Sequence, residues 1–214
     1  NLAISLAEMD GWEKACDLLA GVRGHLVEWP DLAFVEGVIN AAMLLPLEVR
    51  HLALRMNIFH PQIQTIKGPD VDQRRVRAHS CFEQAEKLMT EIGEDKRAEV
   101  AKVWLLWLRL TNEKEEIAET ARGEVREAMK DPARAVDFLP VALKFGVDFD
   151  KGPLQRYLIQ RTKMGGLEGR EIVAEVLLAE TTMTAREHAD FLEREESRLV
   201  KDVPIALVAG KRIE

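Results

Sequence analysis

Glu48 and His51, in Glu48-Val49-Arg50-His51, have the Glu-x-x-His spacing with which helical bundles hold pairs of iron ions. On a helix, residues three apart share a face, so a carboxylate and an imidazole could reach one ion. A di-iron centre needs a second such motif and two further inward carboxylates. Neither His79 nor His188 has a Glu three places before it, so His51 reads as an ordinary packed or partly exposed histidine. Cys16 and Cys81 lie far apart, without the paired spacing of a zinc site, and read as reduced thiols packed like small apolar residues. Glu113, Glu115 and Glu116, and likewise Glu193, Glu195 and Glu196, are too close in sequence to converge on one cation from a helix. They read as solvated faces, the first group favoured in a first helical turn. The stretch Met164 to Gly169, MGGLEG, lacks the Lys-Ser/Thr of a phosphate loop and a preceding strand, and reads as a helix stop and turn. No Ser/His/Asp or Cys/His arrangement can be assembled from spacing. The expectation is a chain without catalytic residues, metal or cofactor.

The bulk numbers point the same way. The chain has 214 residues, 47% hydrophobic and 31% charged, with acids and bases mixed along it, as in a folded protein rather than a disordered one. A net charge of -7 argues against a general nucleic-acid or anionic-membrane binder, which needs clustered Lys and Arg. A local basic patch at Arg74, Arg75 and Arg77 stays open. No apolar run reaches the roughly 20 residues of a membrane span, and no basic start leads into an apolar stretch. The chain lacks an initiator Met, opens in the helical stretch NLAISLAEMDGW and ends in VPIALVAGKRIE, another helical beginning. A cytoplasmic piece of a longer protein is expected.

Helices must position everything. Apolar residues recur at three- and four-residue spacings, and strand signals are scarce. Punctuation is regular: Asp10-Gly11, Trp29-Pro30-Asp31, Pro46, Gly93, Asn112, Asp131-Pro132, Gly152-Pro153, Gly165-Gly166 and Thr184 each fall at a helix start or stop. The pattern predicts an all-α fold of about nine complete helices joined by short turns, with helical fragments at both ends.

A packing phrase repeats along these helices. Ala78, Phe82 and Ala85 form a small-large-small triple, matched by Ala15, Leu19 and Val22, by Ala121, Val125 and Ala128, and more weakly by Val49, Ala53 and Met56. Small residues let helices approach, and the large one fills the groove of the paired helix. Ala15 and Val49 are 34 residues apart, Val49 and Ala121 are 72 apart, and the preceding helices begin near 97, 131 and 168. A helix-turn-helix period of about 34 residues is the tetratricopeptide signature. The chain resembles that family: Gly37 falls on the small residue of the first helix and Pro61 on the proline beyond the second. Asn40 stands where the family has an aromatic.

The resemblance implies antiparallel helix pairs stacked into a right-handed superhelix (an α-solenoid), one domain over 1–214. One unit departs from it. Residues 57–70 should carry a first helix but contain Pro61 and Gly68-Pro69, so an irregular loop is predicted there. The resemblance also implies a non-catalytic scaffold that binds another protein, or another part of its own chain, in a concave groove. The Lys/Asn clamp that some members use for a C-terminal carboxylate falls on Phe34 and Val38, so a chaperone-tail ligand is not supported. An apolar or mixed groove is left, for which Phe34, Val38, Trp104 and Trp107 are the candidate binding residues. Two alternatives stay open: a helical sensor or enzyme-accessory domain with a small-molecule pocket, and a nucleic-acid-binding helical repeat, which the acidic balance disfavours.

Overall fold

The computed structural model describes residues 2–23, 28–56, 65–66, 68, 70–111, 114–167 and 169–202. Every regular element among them is an α-helix. There are eleven: α1 (Leu2–Glu8), α2 (Trp12–Arg23), α3 (Pro30–Ala42), α4 (Leu47–Met56), α5 (Val71–Glu91), α6 (Asp95–Leu110), α7 (Glu115–Ala128), α8 (Pro132–Lys144), α9 (Lys151–Met164), α10 (Gly169–Thr182) and α11 (Ala185–Asp202). The opening fragment is thus a helix. The expected helical beginning in 203–214 lies outside the described residues, as does most of the loop expected at 57–70. The chain divides into two compact units, Asn1–Ala121 and Arg122–Glu214.

The first unit is built around α3. Its sequence, PDLAFVEGVINAA, is apolar nearly all round, and Leu32, Ala33 and every residue from Glu36 to Ala42 are buried. Such a helix needs neighbours on several sides. It packs against α2, α4 and α5, and α5 in turn packs against α6. The approach of α3 to α5 is set by Gly37: a Cβ there would stand 2.9 Å from Cδ1 and Cε1 of Phe82. The Phe82 ring is itself held from both sides. Phe34 meets it edge-on at 5.9 Å, and Trp104 stacks on it at 5.8 Å with the planes 6° apart. Trp107 completes the row, edge-on to Trp104 at 5.6 Å. These are favourable aromatic geometries.

The repeated triples face inward. Ala78, Phe82 and Ala85 are buried, as are Ala15 and Leu19, while Val22 is half-buried. Ala121, Val125 and Ala128 form a buried stripe on α7. Val49 is buried; the side chains of Ala53 and Met56 lie outside those described. Helix α5 ends at Gly93, whose φ of 78° suits glycine, and the Glu94 N–H closes the end by donating to the Met89 carbonyl at 2.8 Å.

In the second unit α8 packs against α9 and α10, α9 against α10, and α10 against α11. The helix starts at α8, α9 and α11 are capped by side chains. Asp131 accepts from the Ala133 N–H and Asp150 from the Gly152 N–H, each at 2.9 Å. At α11, Thr184 and Glu187 bond reciprocally: Glu187 Oε2 accepts from the Thr184 N–H at 2.8 Å, and Thr184 Oγ1 accepts from the Glu187 N–H at 3.3 Å.

Gly37→Ala forces its methyl into a ring that cannot retreat. Despite alanine's better helix propensity, it is expected to destabilise the protein by about 1–3 kcal/mol. Phe82→Leu in the same chain is expected to recover part of that loss. Urea unfolding of the two single variants and the double variant measures the coupling.

Candidate functional site

The chemistry-bearing side chains of the first unit gather where α2, α3 and α5 meet. At the centre is Glu36, one of two buried carboxylates among the described residues, at 0% exposure. Its place follows from α3 being buried all round: a residue in mid-helix has no route to water. A buried carboxylate must be matched by charge and hydrogen bonds. Arg77 Nε donates to Oε1 at 2.7 Å and Arg23 Nη1 to Oε2 at 3.2 Å. Arg23, at the last residue of α2, also reaches α5, meeting Cys81 Sγ at 3.2 Å and donating to Gln84 Oε1 at 2.7 Å. One guanidinium thereby touches residues of both other helices. Asn40 lies buried one turn further along α3, its amide donating to the Glu36 carbonyl at 2.9 Å. The position that departs from the tetratricopeptide pattern is therefore a self-satisfied polar residue.

A second group adjoins it. Arg74 Nη2 donates to Glu13 Oε1 at 2.5 Å, while its Nη1 lies 3.1 Å from Met43 Sδ and 3.9 Å from Cys16 Sγ. Arg75 pairs with Asp72 at 3.1 Å. The possible basic patch at Arg74, Arg75 and Arg77 is thus met by acids of the same chain. Hydrogen bonding to Glu36 holds the Arg77 pKa above its ordinary value, against the opposing effect of burial.

Both cysteines are free and buried. Burial, reinforced by the nearby Glu36 carboxylate, pushes the Cys81 thiol up to about 12, and Arg23 only partly offsets this. Burial also raises Cys16, against Arg74. A nucleophilic cysteine needs the opposite shift, toward thiolate at neutral pH. Both sulfurs are packing partners for arginines here.

The other singled-out residues separate. His51 Nε2 is 3.2 Å from Asp10 Oδ1, and its ring lies 5.6 Å from that of Trp12. His79 is paired with Glu83 at 3.4 Å, but burial and the nearby Arg109 leave its pKa below the usual histidine value. Among the described residues no three His, Cys, Asp or Glu side chains are grouped to hold a metal ion. The four candidate binding residues share one unit: Val38, Trp104 and Trp107 are buried, and Phe34 is half-buried. Phe34, Trp104 and Trp107 form the aromatic row around Phe82.

The second unit contains the other buried carboxylate. Glu171 on α10 accepts from Arg161 Nε at 2.7 Å and from the Tyr157 hydroxyl at 3.2 Å, both on α9. Burial and this hydrogen bond raise the Tyr157 pKa. Sequence reasoning missed Glu36 and Glu171. For Glu36 the available signal was a lone carboxylate in the apolar run of α3; Glu171 shares its helix face with Glu175 and carried no such signal.

No protein-family model, curated protein or solved structure matches the chain. No described helix is long and apolar enough to cross a membrane.

The partners of Glu36 differ in access to water. Its own side chain is at 0% exposure, but those of Arg23 and Arg77 are at 29% and 41%. Arg23→Met with Arg77→Met strands a buried carboxylate and is expected to cost about 3–5 kcal/mol. Glu36→Met leaves two arginines that can turn to solvent, and should cost clearly less, about 1–2 kcal/mol. Chemical denaturation of both variants checks the order.

Cys81 gives a pH prediction. Its folded pKa is raised, so its contribution to stability is complete below the ordinary thiol value of 9.0 and is lost as pH rises from there toward about 12. In the native protein its alkylation by iodoacetamide should stay slow at pH 9, whereas in urea it should proceed at the rate of an ordinary thiol. Mass spectrometry of the Cys81 peptide reports both.

Proposed function

We propose that the chain is a non-catalytic helical-repeat domain, tetratricopeptide-like in its stacking, that binds another protein or another part of its own chain in the cytoplasm. The observation that carries the reading is the regular spacing along the chain of the helices from α6 onward. Helices α6, α8 and α10 begin at Asp95, Pro132 and Gly169, two steps of 37 residues. Their followers α7, α9 and α11 begin at Glu115, Lys151 and Ala185, steps of 36 and 34 residues. Within Arg122–Glu214 the helices pack in the neighbour order of stacked pairs: first on second, second on next first, and first on next first. Units that touch only their neighbours leave long surfaces on both sides, which is what repeat scaffolds use for binding. The commitment of Glu36, Glu171, Cys16 and Cys81 to packing also favours a scaffold over a reaction centre.

The full-length protein, immobilised, is expected to retain a partner that, once purified, forms a stoichiometric complex by size-exclusion chromatography. A protein that retains nothing and instead turns over a small molecule contradicts the reading.

A further inference from the structure

Helix α9 carries Lys151, Arg156, Arg161 and Lys163 and no Asp or Glu. Each of the other ten described helices contains at least one acid, and the chain as a whole is at -7. Two of the four cations serve the fold: Arg161 is bound to Glu171, and Lys151 Nζ donates to the Thr181 carbonyl at 3.4 Å. Arg156 and Lys163 are exposed and form no ion pair among the described residues. The acid at the start of the helix, Asp150, directs Oδ1 to the Gly152 N–H.

Position on the helix joins these cations to an apolar residue. Arg156, Ile159 and Lys163 stand at i, i+3 and i+7 and so share one stripe. Ile159 is 50% exposed, Gln160 lies beside it, and Met164 at the end of the helix is 71% exposed. The opposite face is fixed inward by buried Leu154 and Leu158 and by the Arg161–Glu171 pair. A basic last turn complements the helix dipole, which accounts for Lys163. It does not account for Arg156, two turns earlier, or for an exposed isoleucine between them.

We propose that this outer face of α9 docks an acidic segment of a partner protein, with Arg156 and Lys163, whose backbone positions lie about 10 Å apart along the helix, each pairing a carboxylate and Ile159 covered between them. The inference rests on the scaffold reading and names its partner's chemistry. A nucleic acid fits less well, because the stripe offers no aromatic for bases to stack on. An anionic membrane is held by more than two basic side chains and a single aliphatic one.

The test is fluorescence anisotropy with a labelled peptide of alternating Glu and Leu. Its Lys-Leu counterpart, a single-stranded DNA 20-mer and phosphatidylserine vesicles serve as competing probes. The acidic peptide is expected to bind, to weaken with salt, to lose about tenfold or more in affinity with Arg156→Glu/Lys163→Glu, and to lose several-fold with Ile159→Ala. Because all three residues are exposed, the thermal melts should be unchanged. No acidic-peptide binding, or binding untouched by these substitutions, overturns the proposal, as does a response of the same residues to DNA or vesicles instead. Peptide binding that survives Arg156→Glu/Lys163→Glu removes α9 but leaves the scaffold reading intact, whereas turnover of a small molecule removes the scaffold reading itself.

Discussion

A carboxylate that cannot reach water dictates much of the first unit. Glu36 sits in the middle of a helix enclosed by others, and the cost of stripping water from it is several kcal/mol unless charge is brought to it. The chain brings that charge from two directions, Arg23 at the end of α2 and Arg77 on α5. The ion group therefore requires three helices to be in register at once. Apolar side chains could fill the same volume with less electrostatic cost, but they would tolerate sliding, and a two-sided guanidinium clamp on one carboxylate does not. Arg23 narrows the tolerance further by also engaging Cys81 and Gln84 on α5.

The tight approach of Gly37 to Phe82 follows from the same arrangement. Glu36 and Gly37 are adjacent on α3, and Cys81 and Phe82 are adjacent on α5, so the polar clamp and this tight helix approach lie side by side. The clamp sets register, and the ring, stacked on Trp104, sets the distance between the helices. The second unit uses a smaller version, with Glu171 held by Arg161 and Tyr157 between α9 and α10. There the clamp also fixes which side of α9 faces outward.

The helices and their boundaries were legible in the sequence because they depend on local signals: apolar periodicity, Asp-Pro starts and glycine stops. The inward triple at Ala78, Phe82 and Ala85 was legible for the same reason. The ion clamp was not. Glu36 reads locally as one acid in an apolar run, and Arg74 and Arg77 read locally as part of a basic patch. Only tertiary packing shows that Arg77 belongs to Glu36 and Arg74 to Glu13. Trp104 and Trp107 could be read either as core or as a groove wall, because a helix apolar all round does not say which side is covered; both are buried.

Native-state hydrogen exchange tests the central claim, that the Glu36 clamp makes α2, α3 and α5 one cooperative body. The account predicts that the slowest amides of all three helices, around Leu19, Val38 and Phe82, open with the same free energy and the same denaturant dependence. In Arg23→Met/Arg77→Met those energies should fall together. If α5 instead opens well before α3, or if the substitutions lower one helix and leave the others unchanged, the clamp does not hold the unit together.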